Sequence, residues 1–404
     1  MTSDNTIGKF IGRAMKRFPP VKAAMQNAFR AEDWLHGVRV RAVRRRGYRM
    51  IVEPYTSYGS TSWVRVLARV QMAPPDPARS LERAAEAPKR PKRDRTVRGW
   101  RAFTRIAAGH VAVTVRIDGE EHRVVSDRGG VIDVNLPASL EAGWQTISLE
   151  SGDGFVTTAP VFIVGDDQEV GIVSDIDDTV MVTALPRPLL AAWNTFVLDE
   201  HARTPTPGMN VFDERLLEHF GHGGTPFIYL STGPWNVAPT LARFLGRNLY
   251  PAGPLLLTDW GPTPDRFFRS GYEHKVKNLE RLAQEFPRVR WVLIGDDGQH
   301  DPEIYGGFAT SHPENVLAVA IRNLSPGEAI LASGARSWLQ DDGSPATPPV
   351  PWFEAPDGAG LVDAFREAGV IDEIPELRAA EDLREEFLAE MLAREGTYDP
   401  EKLR

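Results

Sequence analysis

The sequence contains no cysteine. That excludes disulfides, thiolate zinc sites and a cysteine nucleophile, and makes a reducing or redox-indifferent compartment the simplest expectation. Long hydrophobic runs are missing as well: nothing approaches the roughly 20 consecutive apolar residues that a bilayer helix needs. The opening segment MTSDNTIGKFIGRAMKRF is basic, yet it lacks the continuous apolar run of about 7 to 15 residues of a secretion signal. The expected location is therefore cytoplasmic, with peripheral contact to an anionic membrane left open. Two chemical signatures are also absent. There is no GxxxxGK[ST] loop to cradle a nucleotide and no HExxH for zinc, and GHGG at 221–224 lacks the strand–helix setting of a dinucleotide loop. No nucleotide cofactor is expected.

What remains is the composition of a globular protein, with 42% apolar and 25% charged residues. A chain of 404 residues is too long for one ordinary core and points to two or three domains, with two as the working expectation. The net charge of −8 hides an asymmetry. Residues 1–110 hold 24 Lys+Arg against 8 Asp+Glu, a balance of +16, and the other 294 residues hold 23 against 47, or −24. A basic front half has two readings: attraction to anionic lipid, nucleic acid or an acidic partner, or simply a solvated face.

Patterning divides the chain further. In residues 1–35, Phe10, Ile11, Ala14, Met15 and Phe18 recur at helical spacing between Lys9, Arg13, Lys16 and Arg17. This predicts an amphipathic helix, lying on a membrane surface or docked on its own protein. From 36 to 165 the runs VRVRAV, YRMIVEPY, SWVRVLARVQ, HVAVTVRIDG, VIDVNLP, WQTISLES and APVFIVG alternate between turn residues, as in an all-β, sandwich-like domain. A basic, proline-rich stretch at 72–99 interrupts them as an insertion. From 166 to 338 apolar strands alternate with helical patterns: VGIVSD, TPFIYLST, PAGPLLLTD, VRWVLIGDD and NVLAVAIRN. That order predicts an α/β fold, a doubly wound parallel sheet with helices on both faces. Residues 339–404 read as a linker, to about 360, and a C-terminal helix at 374–396.

In an open parallel sheet ligands bind beyond the carboxyl ends of the strands, so polar residues at those ends come first. GIVSDIDDTV crowds Asp175, Asp177 and Asp178 beside Thr179. Carboxylates so close repel one another unless a cation or proton lies among them, and a hard oxygen site for Mg²⁺ resolves this. A helix N-cap with acidic first-turn residues looks similar. FIYLSTGPWN ends a strand in Ser231 and Thr232 before Gly233-Pro234, a phosphate-holding turn or an ordinary cap. Lys275, in GYEHKVKNLERL, reads as the start of a helix, where a cation opposes the helix dipole unless it faces an anion; solvated lysines such as Lys277 are commoner. VRWVLIGDDGQHDPEIY ends a strand in Asp296 and Asp297, with Asp301 in the following loop, a source of further metal ligands.

The order DxDxT, strand-end Ser, Lys, GDDxxxD is similar to the four-part signature of the haloacid dehalogenase superfamily. The strings SDIDDTV, YLSTGPWN, PLLL, EHK and IGDDGQHDPEIY, with VEPYTSYG in the front domain, resemble the actin-patch-protein family of phosphatidate phosphatases over residues 35–335. The resemblance implies that Asp175 is the nucleophile and that Asp177 is the acid and then the base. Mg²⁺ would be held by Asp175, Asp296 and the backbone carbonyl of Asp177. Ser231, Thr232 and Lys275 would bind the phosphate, and Asp297, Asp301 and Thr179 would support the site, the two acids by orienting a metal-bound water or Lys275. Only about 50 residues separate Asp175 from the Ser231 strand, which in this superfamily implies a small cap and an open site. That suits a phosphate carried on something large. The apolar segment 180–198 is expected either to meet lipid or to pack on the sheet. The leading expectation is a Mg²⁺-dependent phosphatase that converts phosphatidate to diacylglycerol. The alternatives are the same chemistry on a phosphoprotein or nucleic-acid end, and a non-catalytic β-sandwich adaptor.

Overall fold

The computed structural model describes residues 37–74, 106–182, 204–258, 264–325, 328 and 350–372, apart from positions 39, 222 and 299, with only the backbone for 264–270. The chain divides into two compact units, Met1–Ile163 and Val164–Arg404. The expected N-terminal helix, the insertion beyond residue 74, nearly all of 180–198 and the C-terminal helix lie outside the described residues.

Among its described residues the first unit is β, save for one helical stretch. Its strands are β1 (Arg49–Pro54), β2 (Ser57–Ser60), β3 (Trp63–Ala73), β4 (Ala112–Ile117), β5 (Glu120–Val125), β6 (Val131–Pro137), β7 (Gly143–Ser151) and β8 (Val156–Val164). They form one sheet in which β3 carries β1, β2 and β6 as antiparallel neighbours, and the order then runs β2-β8-β7-β4-β5. Alternate residues face one core: Val64, Val66, Ala68, Val70 and Met72 of β3 meet Val113, Val115 and Ile117 of β4, Ile147 and Leu149 of β7, and Ala159, Val161 and Ile163 of β8. The period of two places these side chains on one face.

Two features of this unit depart from the pattern reading. VRVRAV reads as a strand, yet residues 40–45 are helical; Val40 and Val43, three apart, rest on the core, while Arg41, Arg44 and Arg45 are exposed. Strand β5, EEHRVV, is too polar to show itself by composition. Its signal is the turn: Asp118 and Gly119 both have positive φ, 47° and 81°, between paired Ile117 and Glu120, as in the Asp-Gly hairpin connection.

The second unit is mixed α/β. Strands β9 (Val170–Ser174), β12 (Phe227–Pro234), β13 (Leu255–Thr258), β14 (Arg290–Asp296), β15 (Val316–Arg322) and β16 (Trp352–Ala355) form a parallel sheet in the order β13-β12-β9-β14-β15-β16. The short strands β10 (Met181–Val182) and β11 (Thr204–Pro205) pair separately. Helices α1 (Met209–Phe220), α2 (Ala238–Arg247), α3 (Pro264–Glu285), α4 (Asp301–Ser311) and α5 (Gly358–Glu367) connect or follow the strands. Counted along the chain, the strands lie 3-2-1-4-5-6, so the order reverses between β9 and β14, where such sheets open a crevice beyond the strand ends. Close packing fixes this junction: Trp291 of β14 pairs with Gly171 of β9, and a Cβ at Gly171 would lie 2.4 Å from the indole ring.

Part of the expected linker is sheet instead. Trp352–Ala355 extends β15 as the sixth strand, and Asp357 caps the helix that follows, accepting the Gly360 N–H. Prolines and glycines on both sides gave the segment a loop's composition, although a four-residue strand needs little room.

Candidate active site

Strand β9 is flanked on both sides, and its ladder continues one residue past its end, where the Asp175 N–H donates to the Ile294 carbonyl at 2.8 Å. The chain then folds back tightly. The N–H groups of Val180 and Met181 both donate to the Ile176 carbonyl, and that of Asp178 to Met181. Asp178 adopts a left-handed conformation, φ 61°, which among residues with a Cβ aspartate and asparagine tolerate best. Asp175 is 1% exposed and Asp296, at the end of β14, is 0%.

Lys275 joins the elements. Its Nζ lies 2.6 Å from Asp175 Oδ1 and 2.5 Å from Asp301 Oδ1, with the lysine 4% exposed. Expected at a helix start, Lys275 sits midway along α3; two carboxylates, not the helix dipole, account for its place. Asp301, expected in a loop, is the first residue of α4. Proline at the second position and acids in the first turn favour that start, which Gly306 and Gly307 disguise in the sequence. Asp301 comes close only because residue 295 is glycine, since a Cβ there would lie 2.6 Å from Asp301 Oδ2.

Across the site, Ser231 Oγ donates to Asp177 Oδ2 at 3.0 Å and accepts the Gly233 N–H at 3.0 Å. The β12–β13 register shifts between Leu230 and Pro234, an irregularity of the kind that re-aims side chains beside active sites.

One oxygen from each of Asp175, Asp296 and Asp301 lies within 4.8 Å of the others. Oδ2 of each is buried without a hydrogen-bond partner, a costly arrangement unless something binds there. Burial pushes the Asp175 carboxyl well above the usual carboxylate range; Lys275 opposes this, and Asp301 and Asp177 reinforce it. Burial likewise raises Asp296, helped by repulsion from Asp301, Asp175 and Asp178. Burial works against the charge on Lys275, but Asp175 and Asp301 outweigh it and raise the lysine well above its ordinary value. Ionised together, three carboxylates against one ammonium would leave an excess of two negative charges. Oxygen-only donors and that excess fit a hard divalent cation such as Mg²⁺.

Asp175, Asp177, Ser231, Lys275, Asp296 and Asp301 are thus brought together. Thr179 is buried with its hydroxyl unpartnered. Thr232 is half-buried; its carbonyl accepts the Thr258 hydroxyl, and its methyl faces Gly271 of α3. Asp297, expected to orient Lys275 or a water, uses Oδ1 to hold the Leu324 N–H at 2.7 Å, while its own N–H donates to the Arg322 carbonyl; Asp301 is the acid that reaches Lys275. Sequence reading missed Arg322, Tyr250 and Tyr305, all buried. Tyr305 donates its hydroxyl to the Ile294 carbonyl at 3.2 Å. For Arg322 a signal existed: a cation ending an otherwise apolar strand.

The fold and the site define a parallel α/β domain with an acidic, cation-ready centre at its strand-order reversal. Residues 170–323 match the family model described as phosphatidate phosphatase APP1, catalytic domain, and over this stretch the chain is similar to that family. That match starts at residue 170 and leaves out the front-domain part of the expected resemblance. The chain is 25% identical over 188 residues to phosphatidate phosphatase APP1 of Saccharomyces cerevisiae, covering 46% of this chain and 31% of the yeast protein. It is 25% identical over 172 residues to the uncharacterized protein C29B5.04c of Schizosaccharomyces pombe, covering 42% of this chain and 27% of that one. The matched region spans less than a third of each of these relatives. Among solved structures, a carbohydrate acetylesterase from Xanthomonas citri aligns over 70% of this chain and 73% of its own, at 9% identity and a TM-score of 0.26, too low to argue a common fold. No described helix is long and apolar enough to cross a membrane.

Proposed function

We propose that the second unit is a doubly wound domain of the haloacid dehalogenase type, with a small cap, that hydrolyses a phosphomonoester through an aspartyl phosphate on Asp175. Phosphatidate is the substrate the reading favours. The observation that carries the chemistry is the convergence of Asp175, Asp296 and Asp301 around Lys275, with Ser231 hydrogen-bonded to Asp177 beside them.

In the first step a carboxylate oxygen of Asp175 attacks phosphorus, the P–O ester bond breaks, and Asp177 gives its proton to the departing oxygen. In the second, Asp177 as carboxylate takes a proton from water as that water attacks the aspartyl phosphate, releasing phosphate and restoring both residues. Lys275 and Ser231 donate to the phosphoryl oxygens, where charge develops. Asp175, Asp296 and Asp301, with the backbone carbonyl of Asp177, would hold Mg²⁺, which when bound offsets charge on the transferring group.

The lipid substrate rests on the family match over residues 170–323 and on the name of the yeast relative. A non-catalytic role is the weaker reading, because every residue the chemistry needs is present and six of them are assembled.

The test is phosphate release from phosphatidate in mixed micelles, with Mg²⁺ or EDTA, for wild type and Asp175→Asn. Turnover that needs Mg²⁺ and vanishes in the variant supports both parts. Silence on phosphatidate with variant-sensitive turnover of an aryl phosphate keeps the mechanism and removes the lipid; silence on both removes the mechanism.

A further inference from the structure

We infer that Arg322 is a positioning residue that holds the Asp175–Asp178 turn in its working shape and so aims Asp177. Asp178 sits at φ 61°, a left-handed conformation that aspartate tolerates better than most residues but that this buried turn must hold in place. Arg322 supplies that hold. It is 4% exposed at the end of β15, and its Nη1 donates to the Asp178 carbonyl at 2.7 Å.

The guanidinium is itself fixed, because Nη2 pairs with Glu328 at 2.8 Å and Nε donates to the Pro356 carbonyl at 3.3 Å. A planar fork held at three points is a rigid anchor in a way that a lysine is not. On the other side of the turn, the Tyr250 hydroxyl donates to the Val180 carbonyl at 2.8 Å and the Thr206 N–H to the same oxygen at 3.0 Å. The turn is thereby clamped at two carbonyls two residues apart, and Asp177 immediately precedes the first. Its carboxylate meets Ser231 only while the turn keeps this path. Arg322 itself touches no reacting atom.

The inference rests on the reading of Asp177 as acid and base, so one arm of the test needs no substrate. In Arg322→Met, amide hydrogen exchange over residues 176–182 should accelerate about tenfold or more, while β9 and β12 stay as protected as in wild type. Uniform acceleration, or none, would overturn the proposal. In the kinetic arm, kcat/KM of Arg322→Met should fall about 10- to 100-fold for an alkyl phosphate, whose leaving oxygen needs the proton. For p-nitrophenyl phosphate, which leaves without it, the fall should stay within about threefold. Equal losses on both would mean a merely structural role. If the methionine variant does not fold, Arg322→Lys, which keeps the charge and loses the fork, should show the same pattern at smaller size. If wild type turns over neither compound, the phosphatase reading fails and the exchange arm still decides the clamp.

Discussion

Raising the pH of the metal-free protein should lower its thermal stability, and Mg²⁺ should offset part of the loss. Burial lifts the Asp175 and Asp296 carboxyls well above the ordinary value of 3.8. The folded state therefore keeps protons that the unfolded chain has released, and their contribution is complete below that value and is lost as pH rises toward the folded pKa. Each such carboxyl costs about 1.4 kcal/mol per pH unit over that window. A divalent cation among Asp175, Asp296 and Asp301 would replace the protons and offset part of the loss. At free Mg²⁺ a hundredfold above its dissociation constant the gain is about 2.7 kcal/mol, or about 5 to 10 °C in Tm for a unit of this size. Asp296→Asn separates the parts: it removes a repelling charge and a ligand together. In EDTA at about pH 8 the variant should melt above wild type, and it should respond to Mg²⁺ by less than about 2 °C. Scanning fluorimetry between about pH 5 and 8, with EDTA or Mg²⁺, measures all of this. A wild-type Tm in EDTA that rises with pH, or an Asp296→Asn shift as large as that of wild type, would refute the cation site.

Gly295→Ala places a Cβ 2.6 Å from Asp301 Oδ2 and 2.7 Å from the Tyr305 ring. It should cost about 1–3 kcal/mol and, by displacing Asp301 from Lys275, lower kcat by at least about tenfold; unchanged kcat would show that the Lys275–Asp301 contact is dispensable. Gly171→Ala forces a Cβ against the buried Trp291 ring and should also cost about 1–3 kcal/mol in urea unfolding. It should leave kcat near wild type, since Gly171 pairs within the sheet four residues before Asp175.

The first five strands of the parallel sheet were readable because each is an apolar run followed by a helical pattern. The acids at the ends of β9 and β14 were readable because polar residues closing such runs lie at the crevice. What periodicity does not carry is which acid turns inward. Asp296, Asp297 and Asp301 look equivalent on paper, yet Asp297 ties down the chain after β15, while Asp301 reaches Lys275 from a helix start six residues after Gly295. That choice depends on the close approach at Gly295, a tertiary fact. The sixth strand and the Arg322 anchor were hidden for a similar reason: their roles exist only once β15 and β16 lie side by side.

Asp213 was legible in retrospect. The buried stripe of α1 runs Met209, Phe212, Leu216 and Leu217, and Asp213 falls in its middle, where an amphipathic helix ought to carry an apolar residue. It is 0% exposed and neither carboxyl oxygen has a hydrogen-bond partner. Burial first, and the charge of Glu214 second, push it well above the ordinary 3.8. By the same linkage its contribution is complete at low pH and drains away as pH rises, at about 1.4 kcal/mol per unit until the folded group ionises. Asp213→Asn keeps the shape and removes the titration. Its Tm should match wild type near pH 4 and exceed it increasingly toward about pH 8, with kcat unchanged because Asp213 takes no part in the chemistry. Parallel Tm curves for the two proteins would mean that Asp213 is ionised when folded and stabilised by a cation; a curve falling below wild type would mean that its charge supports the fold.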